Sequence, residues 1–379
     1  MSILFDNVRV YLGGAFFPGQ KVLIEKGKIA AVGSKVLKAV DLTIDGQRKY
    51  LIPGLIDAHT HLGLDDHGYG CSGNDLAEQA QPISPHLRPL DGIKMRDRGL
   101  DEARRAGVTV CMVCPAPYAP IGGQCSIMKT YGNSADVGLI FEQAGILMSF
   151  GEQPKHNFKA QRKFPSSRMG LAAIIRETLM KAQDYFEQKQ SKKGVKERLI
   201  QMESMVPLFE GKIPIRAHAN RVEDIMTAIR LAEEFQLRIV IEHGAEAHLI
   251  ADILARKKIP VIVGPAIIPY RKTELNEKTF DSARILMDAG VEVALTCDYP
   301  GLSIETLRVA AAMAVQYGLD EKRAMMCITE TPAKILGIDG RVGQIKKGHD
   351  ADVALLSGHP LDIRSKIEML VIDGEIFTF

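Results

Sequence analysis

The feature of this sequence that most limits its fold is the alternation of short apolar segments with helical segments along its middle part. This alternation is typical of a parallel sheet covered by helices. The predicted strands are residues 51–58, 108–113, 124–129, 145–150, 213–217, 237–242, 260–263 and 291–296. Apolar residues recur with helical spacing over residues 91–106, 169–189, 195–209, 222–235, 245–256 and 303–317. Eight strands alternating with helices predict an α/β protein built on a (β/α)8 TIM barrel.

Both ends of the chain differ from the middle. They contain short strand-like runs broken by glycine-containing turns, such as Gly13-Gly14 near the start and Asp373-Gly374 near the end. Two β-rich ends flanking a long middle predict one small β-sandwich domain formed by both termini. We expect residues 1–54 and 340–379 to build this domain, and residues 55–339 to build the barrel.

The charge balance limits which partners this chain can bind. Its 48 Lys and Arg residues against 46 Asp and Glu leave a formal net charge of +2, whereas a nucleic-acid-binding domain is expected to be clearly basic. No apolar run approaches the ~18 residues of a membrane-spanning helix, and Asp6 and Arg9 interrupt the apolar start that a signal peptide needs. We expect a cytoplasmic protein with a small-molecule substrate, with no nucleic-acid or membrane partner, and with homo-oligomer formation left open.

Six cysteines are too few for a disulfide scaffold in a chain of 379 residues. Cys111 and Cys114 form a Cys-x-x-Cys pattern, but both fall in or beside a predicted strand. Because successive strand residues point to opposite faces, an offset of three directs the two thiols apart. We therefore expect packed free thiols here.

Histidines stand at the ends of several predicted strands. His59 and His61 follow the first strand at positions i and i+2, so both project to one face. His218 and His243 close two later strands, and Asp298 follows the last one. The carboxyl ends of parallel barrel strands meet at one rim, where active sites of such barrels lie. Imidazoles and a carboxylate converging there predict a site for a divalent cation.

Several motifs spread over the chain resemble those of the amidohydrolase superfamily of metal-dependent hydrolases. They are PGLIDAHTH at residues 53–61, LTCDYP at 295–300, TPAKILG at 331–337, GQIKKGHDADV at 343–353 and VIDGE at 371–375, together with the strand-end His218 and His243. The segments IGGQ at 121–124 and GEQPK at 151–155 are similar to those of the imidazolonepropionase-related branch. The resemblance implies a distorted TIM barrel with a β-sandwich made from both termini.

The resemblance also implies the ligands of a metal centre. His59, His61, His218 and His243 would bind one or two divalent ions, with Zn2+ expected and Mn2+ or Fe2+ as alternatives, and Asp298 would be both a ligand and a proton carrier. Many two-metal members bridge their ions with a carboxylated lysine at the end of strand four, but this chain has no lysine there before the turn. Glu152 is either a replacement ligand or a turn carboxylate facing solvent, and Lys129 is a weaker candidate for a carboxylated bridge. The number of metals stays open.

The predicted function is hydrolysis of a C–N bond in a cyclic amide, an amidine or an N-acyl compound, in the manner of imidazolonepropionase. A divalent cation lowers the pKa of bound water to about 7, which makes hydroxide available at neutral pH. Asp298 would accept a proton from the attacking water and deliver it to the leaving nitrogen, while the metal or a nearby histidine would polarise the carbonyl. Asp298 and His243 are the predicted catalytic residues. The alternatives are a deaminase, an N-acyl amino acid or dipeptide hydrolase of the same superfamily, or a catalytically inactive barrel scaffold.

Three further residues have open interpretations. Asp57 shares a strand face with His59 and either orients a ligand or is a buried structural carboxylate. His67, in the long loop after the first strand, is a candidate for substrate contact or a solvated loop histidine. Arg271 either holds an anionic substrate or belongs to a surface basic cluster.

Overall fold

The structure is a computed structural model that describes residues 1–36, 38–65, 73–192, 194–268 and 273–379. The sequence candidates His67 and Arg271 lie outside the described residues. The strands in chain order are β1 (Ser2–Leu12), β2 (Ala15–Glu25), β3 (Lys28–Gly33), β4 (Leu42–Asp45), β5 (Tyr50–Pro53), β6 (Leu55–Thr60), β7 (Val108–Val113), β8 (Ile121–Lys129), β9 (Leu139–Ser149), β10 (Ile215–Ala219), β11 (Ile239–His243), β12 (Val261–Val263), β13 (Val293–Leu295), β14 (Val353–Leu356), β15 (Ile367–Ile372) and β16 (Glu375–Thr378).

The helices surround or cap the strands. In chain order they are α1 (Arg98–Arg105), α2 (Ala135–Gly138), α3 (Glu152–Ala160), α4 (Arg168–Gln190), α5 (Ile200–Glu203), α6 (Val206–Phe209), α7 (Val222–Glu234), α8 (Ala251–Lys257), α9 (Ser282–Asp288), α10 (Leu307–Gln316), α11 (Glu321–Met326) and α12 (Glu330–Leu336). Among the described residues, no helix combines the length and the apolar character needed to cross a membrane.

One sheet is built from both ends of the chain, as the sequence predicts. Its order is β16-β15-β14-β5-β1-β2-β3, with β4 added beside β1. The link between the two ends is the antiparallel pairing of β14 with β5, in which Val353 lies opposite Pro53. The fold class is therefore confirmed, whereas the residue limits that we expect for the two domains stay a prediction.

The second sheet is the barrel, in which β6 to β13 follow one another in chain order. Its two outer strands, β6 and β13, meet where the Thr296 hydroxyl donates to the His59 carbonyl at 2.6 Å. All eight strands predicted from the apolar runs are present. The first predicted run, residues 51–58, is divided between β5 of the terminal sheet and β6 of the barrel.

The expectation of an all-parallel barrel is wrong at one strand. β8 runs antiparallel to both β7 and β9. The connection from β7 to β8 is residues 114–120, and a parallel connection needs a crossover of about a dozen residues or more. The reversal carries Lys129, at the end of β8, to the opposite end of the barrel from the strand-end histidines, where it lies opposite Val110 near the start of β7.

Each predicted helical region contains a helix, but the helix expected over residues 91–106 begins only at Arg98, and one further region differs. A single helix is expected over residues 195–209, but the structure has two short helices, α5 and α6. Pro207 lies in the first turn of α6. Proline has no N–H and is tolerated only in the first turn, so a continuous helix cannot run through this position.

The barrel interior and the layer between barrel and helices are separate apolar clusters. Along β7, Val110 and Met112 pack inside with Cys114, whereas Cys111 and Val113 pack against the helices. Both cysteines are buried free thiols, as predicted. This alternation also decides which polar side chains enter the barrel, because every second residue of a strand faces inward.

Candidate metal centre

Four strands direct polar side chains toward one end of the barrel. His59 lies in β6 and His61 directly follows it, His218 lies in β10, and His243 is the last residue of β11. Asp298 comes three residues after β13. Neighbouring strands β10 and β11 are parallel and place Ala219 opposite His243, so their histidines reach the same rim. The structure thus brings together five of the six predicted site residues.

The imidazole rings are in mutual contact. The ring centroid of His59 lies 5.4 Å from that of His61 and 4.7 Å from that of His243. His218 and His243 are 4.5 Å apart by the same measure. Asp298 Oδ1 lies 3.4 Å from His61 Nε2 and 3.7 Å from His59 Nε2. The five side chains therefore form one compact cluster.

Three members of the cluster are arranged as metal ligands would be. His59, His243 and Asp298 each offer one donor atom, and these atoms lie within 4.8 Å of one another. His59 Nε2, His243 Nε2 and Asp298 Oδ1 are buried and have no hydrogen-bond partner in the described part of the chain. Buried polar atoms in folded proteins are almost always paired, so three unpaired atoms converging on one point fit a cation.

Backbone carbonyls orient two of the rings. His61 Nδ1 lies 2.7 Å from the Cys114 carbonyl, and His243 Nδ1 lies 2.8 Å from the Gly264 carbonyl. A carbonyl only accepts, so each Nδ1 carries the proton and donates it. The lone pair of each neutral ring is therefore on Nε2, which is the atom that faces the centre.

The electrostatic environment favours the ligand forms of His243 and Asp298. Burial lowers the pKa of His243 to about 4, which keeps its ring neutral at neutral pH. Burial opposes ionisation of Asp298, but His243, His61 and His59 more than offset this effect and hold the pKa of Asp298 well below its usual range. A neutral imidazole and an ionised carboxylate are the forms that bind a divalent cation.

The backbone is strained at two residues of the centre. His243 has φ of 71° and Asp298 has φ of 56°, both in the left-handed region that side chains other than glycine seldom adopt. Such conformations cost of order 1–3 kcal/mol and concentrate at functional sites. His243 ends β11 and Asp298 follows β13 by three residues, so both lie at the barrel mouth.

Two further residues belong to the centre and are absent from the sequence prediction. Glu242 Oε2 lies 3.0 Å from His59 Nδ1, and Glu242 Oε1 lies 2.5 Å from Arg216 Nε. Burial opposes ionisation of Glu242, but Arg216 and His59 outweigh it and lower the pKa of this carboxyl. The sequence does contain one sign of Arg216. It is two residues from His218 and so shares the inward face of its strand, and a charged residue inside an apolar strand is exceptional.

The Asp57 carboxylate contacts two backbone N–H groups and one thiol. It accepts hydrogen bonds from the Cys297 N–H at 3.1 Å and from the His59 N–H at 3.2 Å. The Cys297 thiol lies 3.2 Å from the same carboxylate. Asp57 thus ties β6 to the segment that carries Asp298, which agrees with the structural interpretation of this buried carboxylate.

Glu152 lies outside the group of three donors. It begins α3, and its backbone N–H donates to the Glu274 carboxylate at 3.2 Å. Glu274 also accepts from the Asn220 side chain at 3.1 Å. A ligand role for Glu152 therefore stays a prediction.

Lys129 does not bridge metal ions at this site. Its ammonium group is buried among Asp350, Asp352 and Asp373 of the terminal sheet region, at 2.9 Å from Asp350 and 3.0 Å from Asp352. The sequence expectation fails because the direction of β8 is reversed. Carboxylation would also replace the positive charge that these three carboxylates require.

A cavity opens beside the centre. Its volume is about 600 Å³ including the mouth, and His218, His243 and Asp298 form one side of it. The lining also includes apolar residues such as Val263 and Leu275 and polar groups such as Asn220, Glu274 and Lys278. A largely apolar pocket with a few convergent polar groups is typical of a small-molecule site.

Comparison with known proteins identifies the family. The model of the Amidohydrolase family matches residues 209–377. The crystal structure of an amidohydrolase from Thermotoga maritima MSB8 is 39% identical, covers 100% of both chains and superposes with a TM-score of 0.96. The chain therefore belongs to the amidohydrolase family, a family of hydrolases, as its motifs predict.

Two curated relatives refine this placement. Amidohydrolase tasK of Hapsidospora irregularis is 27% identical over 97% of this chain, but the chain spans only 41% of the length of that protein. An imidazolonepropionase of Klebsiella pneumoniae is 23% identical over 94% of this chain and 91% of its own length. The predicted relationship to the imidazolonepropionase branch is thus confirmed at low identity.

Proposed function

We propose that this protein is a metal-dependent hydrolase that cleaves a C–N bond in a small cyclic amide, amidine or N-acyl compound. The observation that carries the proposal is the group of three unpaired donor atoms, on His59, His243 and Asp298, at the edge of the pocket. His61 and His218 touch the same group. We place Zn2+ first because His and carboxylate ligands suit it, with Mn2+ and Fe2+ as alternatives.

The cation and Asp298 would have different roles in the proposed hydrolysis. A bound divalent cation supplies a nucleophilic water at neutral pH and polarises a carbonyl oxygen. Asp298 is ionised, and its side chain is partly open to the pocket at 22% exposure. Its carboxylate is therefore able to accept a proton from the attacking water and to return it to the leaving nitrogen. His61 Nε2 and His59 Nε2 lie within 4 Å of Asp298 Oδ1, so the carboxylate that would transfer the proton is next to the rings that would hold the cation.

A compound like imidazolonepropionate is the particular substrate that we propose. Support comes from the curated imidazolonepropionases, which align along nearly the whole chain. The mixture of apolar wall and polar groups in the pocket suits a small heterocycle with a charged substituent. We propose a small-molecule substrate and no nucleic-acid partner, because the cavity has the size of a small-molecule site and the formal net charge of the chain is only +2.

The experiment that tests this function is a substrate screen of the metal-loaded protein. Zn2+- and Mn2+-loaded protein is assayed with imidazolones, hydantoins, N-acyl amino acids, dipeptides and aminopurines. Hydrolysis of an imidazolone or another cyclic amide without ammonia release supports the proposal. Ammonia release from an aminopurine identifies the deaminase alternative. Cleavage of N-acyl amino acids or dipeptides identifies the alternative of an N-acyl amino acid or dipeptide hydrolase.

Metal content separates an enzyme from a scaffold. The purified protein should hold about one or two ions per chain after equilibration with Zn2+. Asp298→Asn is the matched control in the screen, because it keeps the size of the side chain and removes the proton acceptor. Less than about 0.1 ion per chain after reconstitution would favour the inactive scaffold.

A further inference from the structure

Arg216 and Glu242 form an ion pair inside the barrel, and Glu242 contacts His59 of the candidate metal centre. Glu242 Oε1 lies 2.5 Å from Arg216 Nε, while Glu242 Oε2 lies 3.0 Å from Nδ1 of His59. Exposure of the three side chains does not exceed 1%. We propose that Arg216 and Glu242 are positioning residues that hold His59 with a proton on Nδ1 and with Nε2 directed at the cation. This inference rests on the proposed metal-dependent function.

The chemistry of the contact decides which ring nitrogen of His59 is available. An ionised carboxylate only accepts hydrogen bonds, so the His59 nitrogen facing Glu242 must donate. The other nitrogen, Nε2, then carries the lone pair, and it is one of the three unpaired donor atoms of the centre. A carboxylate behind a ligand histidine fixes the orientation of the ring and raises its basicity.

His59 differs in this respect from the other two oriented histidines. Backbone carbonyls hold His61 and His243, and these groups are part of the sheet whatever the side chains are. Of these three histidines, His59 is the one held by a charged side chain, and a buried carboxylate is costly unless it is paired. Arg216 supplies the pairing charge, so the position of His59 rests on two residues from two other strands.

Arg216 also reaches the backbone of the strand that carries His59. One guanidinium nitrogen of Arg216 donates to the Ala58 carbonyl at 3.2 Å. Ala58 directly precedes His59 in β6. The arginine therefore spans the barrel from β10 to β6, and it contacts both the carboxylate that holds the ring and the backbone from which the ring projects.

A glycine in β9 makes room for this arginine. A Cβ atom on Gly145 would lie 2.5 Å from Cγ and 3.0 Å from Cδ of Arg216, which is closer than real Cβ contacts allow. The φ of Gly145 is not in the left-handed region, so backbone conformation does not require glycine here. The space that the Arg216 side chain occupies is the physical reason for the missing side chain.

The ion pair could serve packing alone, and a double variant separates packing from positioning. Glu242→Met together with Arg216→Met removes both charges and the hydrogen-bond acceptor behind His59 and keeps similar volumes. Replacing both partners of a buried pair is often neutral for stability, whereas removing one leaves a buried charge unpaired. Cys114→Ala is the matched control, because the Cys114 sulfur lies 3.8 Å from the same His59 Nδ1 but carries no charge.

The measurements are Zn2+ affinity by competition with a chromophoric chelator and the visible spectrum of the Co2+-substituted protein. We expect the double variant to bind Zn2+ about 10–100-fold more weakly than the wild type, with an altered Co2+ spectrum. The Cys114→Ala protein should stay within about twofold of the wild type, because it leaves the Glu242 contact in place. Thermal unfolding of the metal-free proteins shows whether each variant is folded.

A second variant covers the case in which the double variant does not fold. Gly145→Ala keeps both charges and adds one methyl group against Arg216, and it should weaken Zn2+ binding in the same direction. Wild-type Zn2+ affinity and Co2+ spectrum in whichever of these variants folds would overturn the inference while leaving the proposed function intact. Failure of the wild-type protein itself to bind any divalent cation would overturn both.

Discussion

The two ends of the barrel each bury a cluster of ionisable side chains, and the two clusters are completed in different ways. At one end, Lys129 is surrounded by the carboxylates of Asp350, Asp352 and Asp373. At the other end, His59, His243 and Asp298 bring together donor atoms that have no hydrogen-bond partner among the described residues. A buried charge surrounded by opposite charges holds a fold together, whereas converging unpaired donors are suited to bind a ligand.

The difference matters because sequence alone makes Lys129 and the histidines candidates for the same site. Lys129 joins the barrel to the terminal sheet, since Asp352 immediately precedes β14 and Asp373 follows β15. Each cluster should therefore respond to a different measurement. Activity and metal binding report on the rim, and unfolding reports on the Lys129 cluster.

The largest expected effect is that of Asp298→Asn on turnover. The variant should lose about 10²–10⁴-fold in kcat, because an amide cannot accept the proton from water. The assay is steady-state kinetics on whichever substrate the screen identifies, together with a thermal melt. If the variant kept the wild-type kcat, Asp298 would take no part in the chemistry. The rim cluster would then not differ in function from the Lys129 cluster as proposed.

Lys129→Met should affect stability instead. Removing the cation takes away the ion-pair partner of the buried Asp352 carboxylate, and breaking a buried pair typically costs about 3–5 kcal/mol in the free energy of unfolding. Urea unfolding measures the loss. If the folded variant were instead as stable as the wild type but unable to bind Zn2+, Lys129 would belong to the metal site after all.

Zn2+ addition sharpens the comparison by linking binding to stability. At a free Zn2+ concentration 100 times its dissociation constant, the wild-type free energy of unfolding should rise by about 2.7 kcal/mol. Lys129→Met should show the same increment, because its cluster is at the other end of the barrel. His243→Ala serves as the contrasting variant, and an undiminished increment in it would argue that the cation binds elsewhere.

The smallest effect concerns Asp352 and pH. Burial raises the pKa of this carboxyl to about 6 in spite of Lys129, so the folded state binds a proton that the unfolded state releases above pH ~4. Stability from this group should therefore increase as pH falls from 7 to 5, by about 1 kcal/mol. Asp352→Asn should lack that increase when the two proteins are compared by urea unfolding at each pH, and parallel pH dependences would contradict it.

Much of the fold is readable in the sequence because the signals are local. The apolar runs that become β7, β10 and β11 stand between helical segments, and a strand exposes every second residue to one face. The pair His59 and His61 follows directly from this period of two. The direction of β8 is not readable in the same way, because residues 121–129 have an apolar pattern that suits a parallel or an antiparallel neighbour equally.

The amino-acid sequence by itself determined the strands, the strand-end histidines and Asp298, since each depends on residues close together in the chain. Only the tertiary structure decided that Lys129 faces three aspartates and that Glu242 and Arg216 stand behind His59. These contacts join residues from 26 to 244 positions apart. Their energy depends on burial and on distances of about 3 Å, which arise only when the sheets have closed.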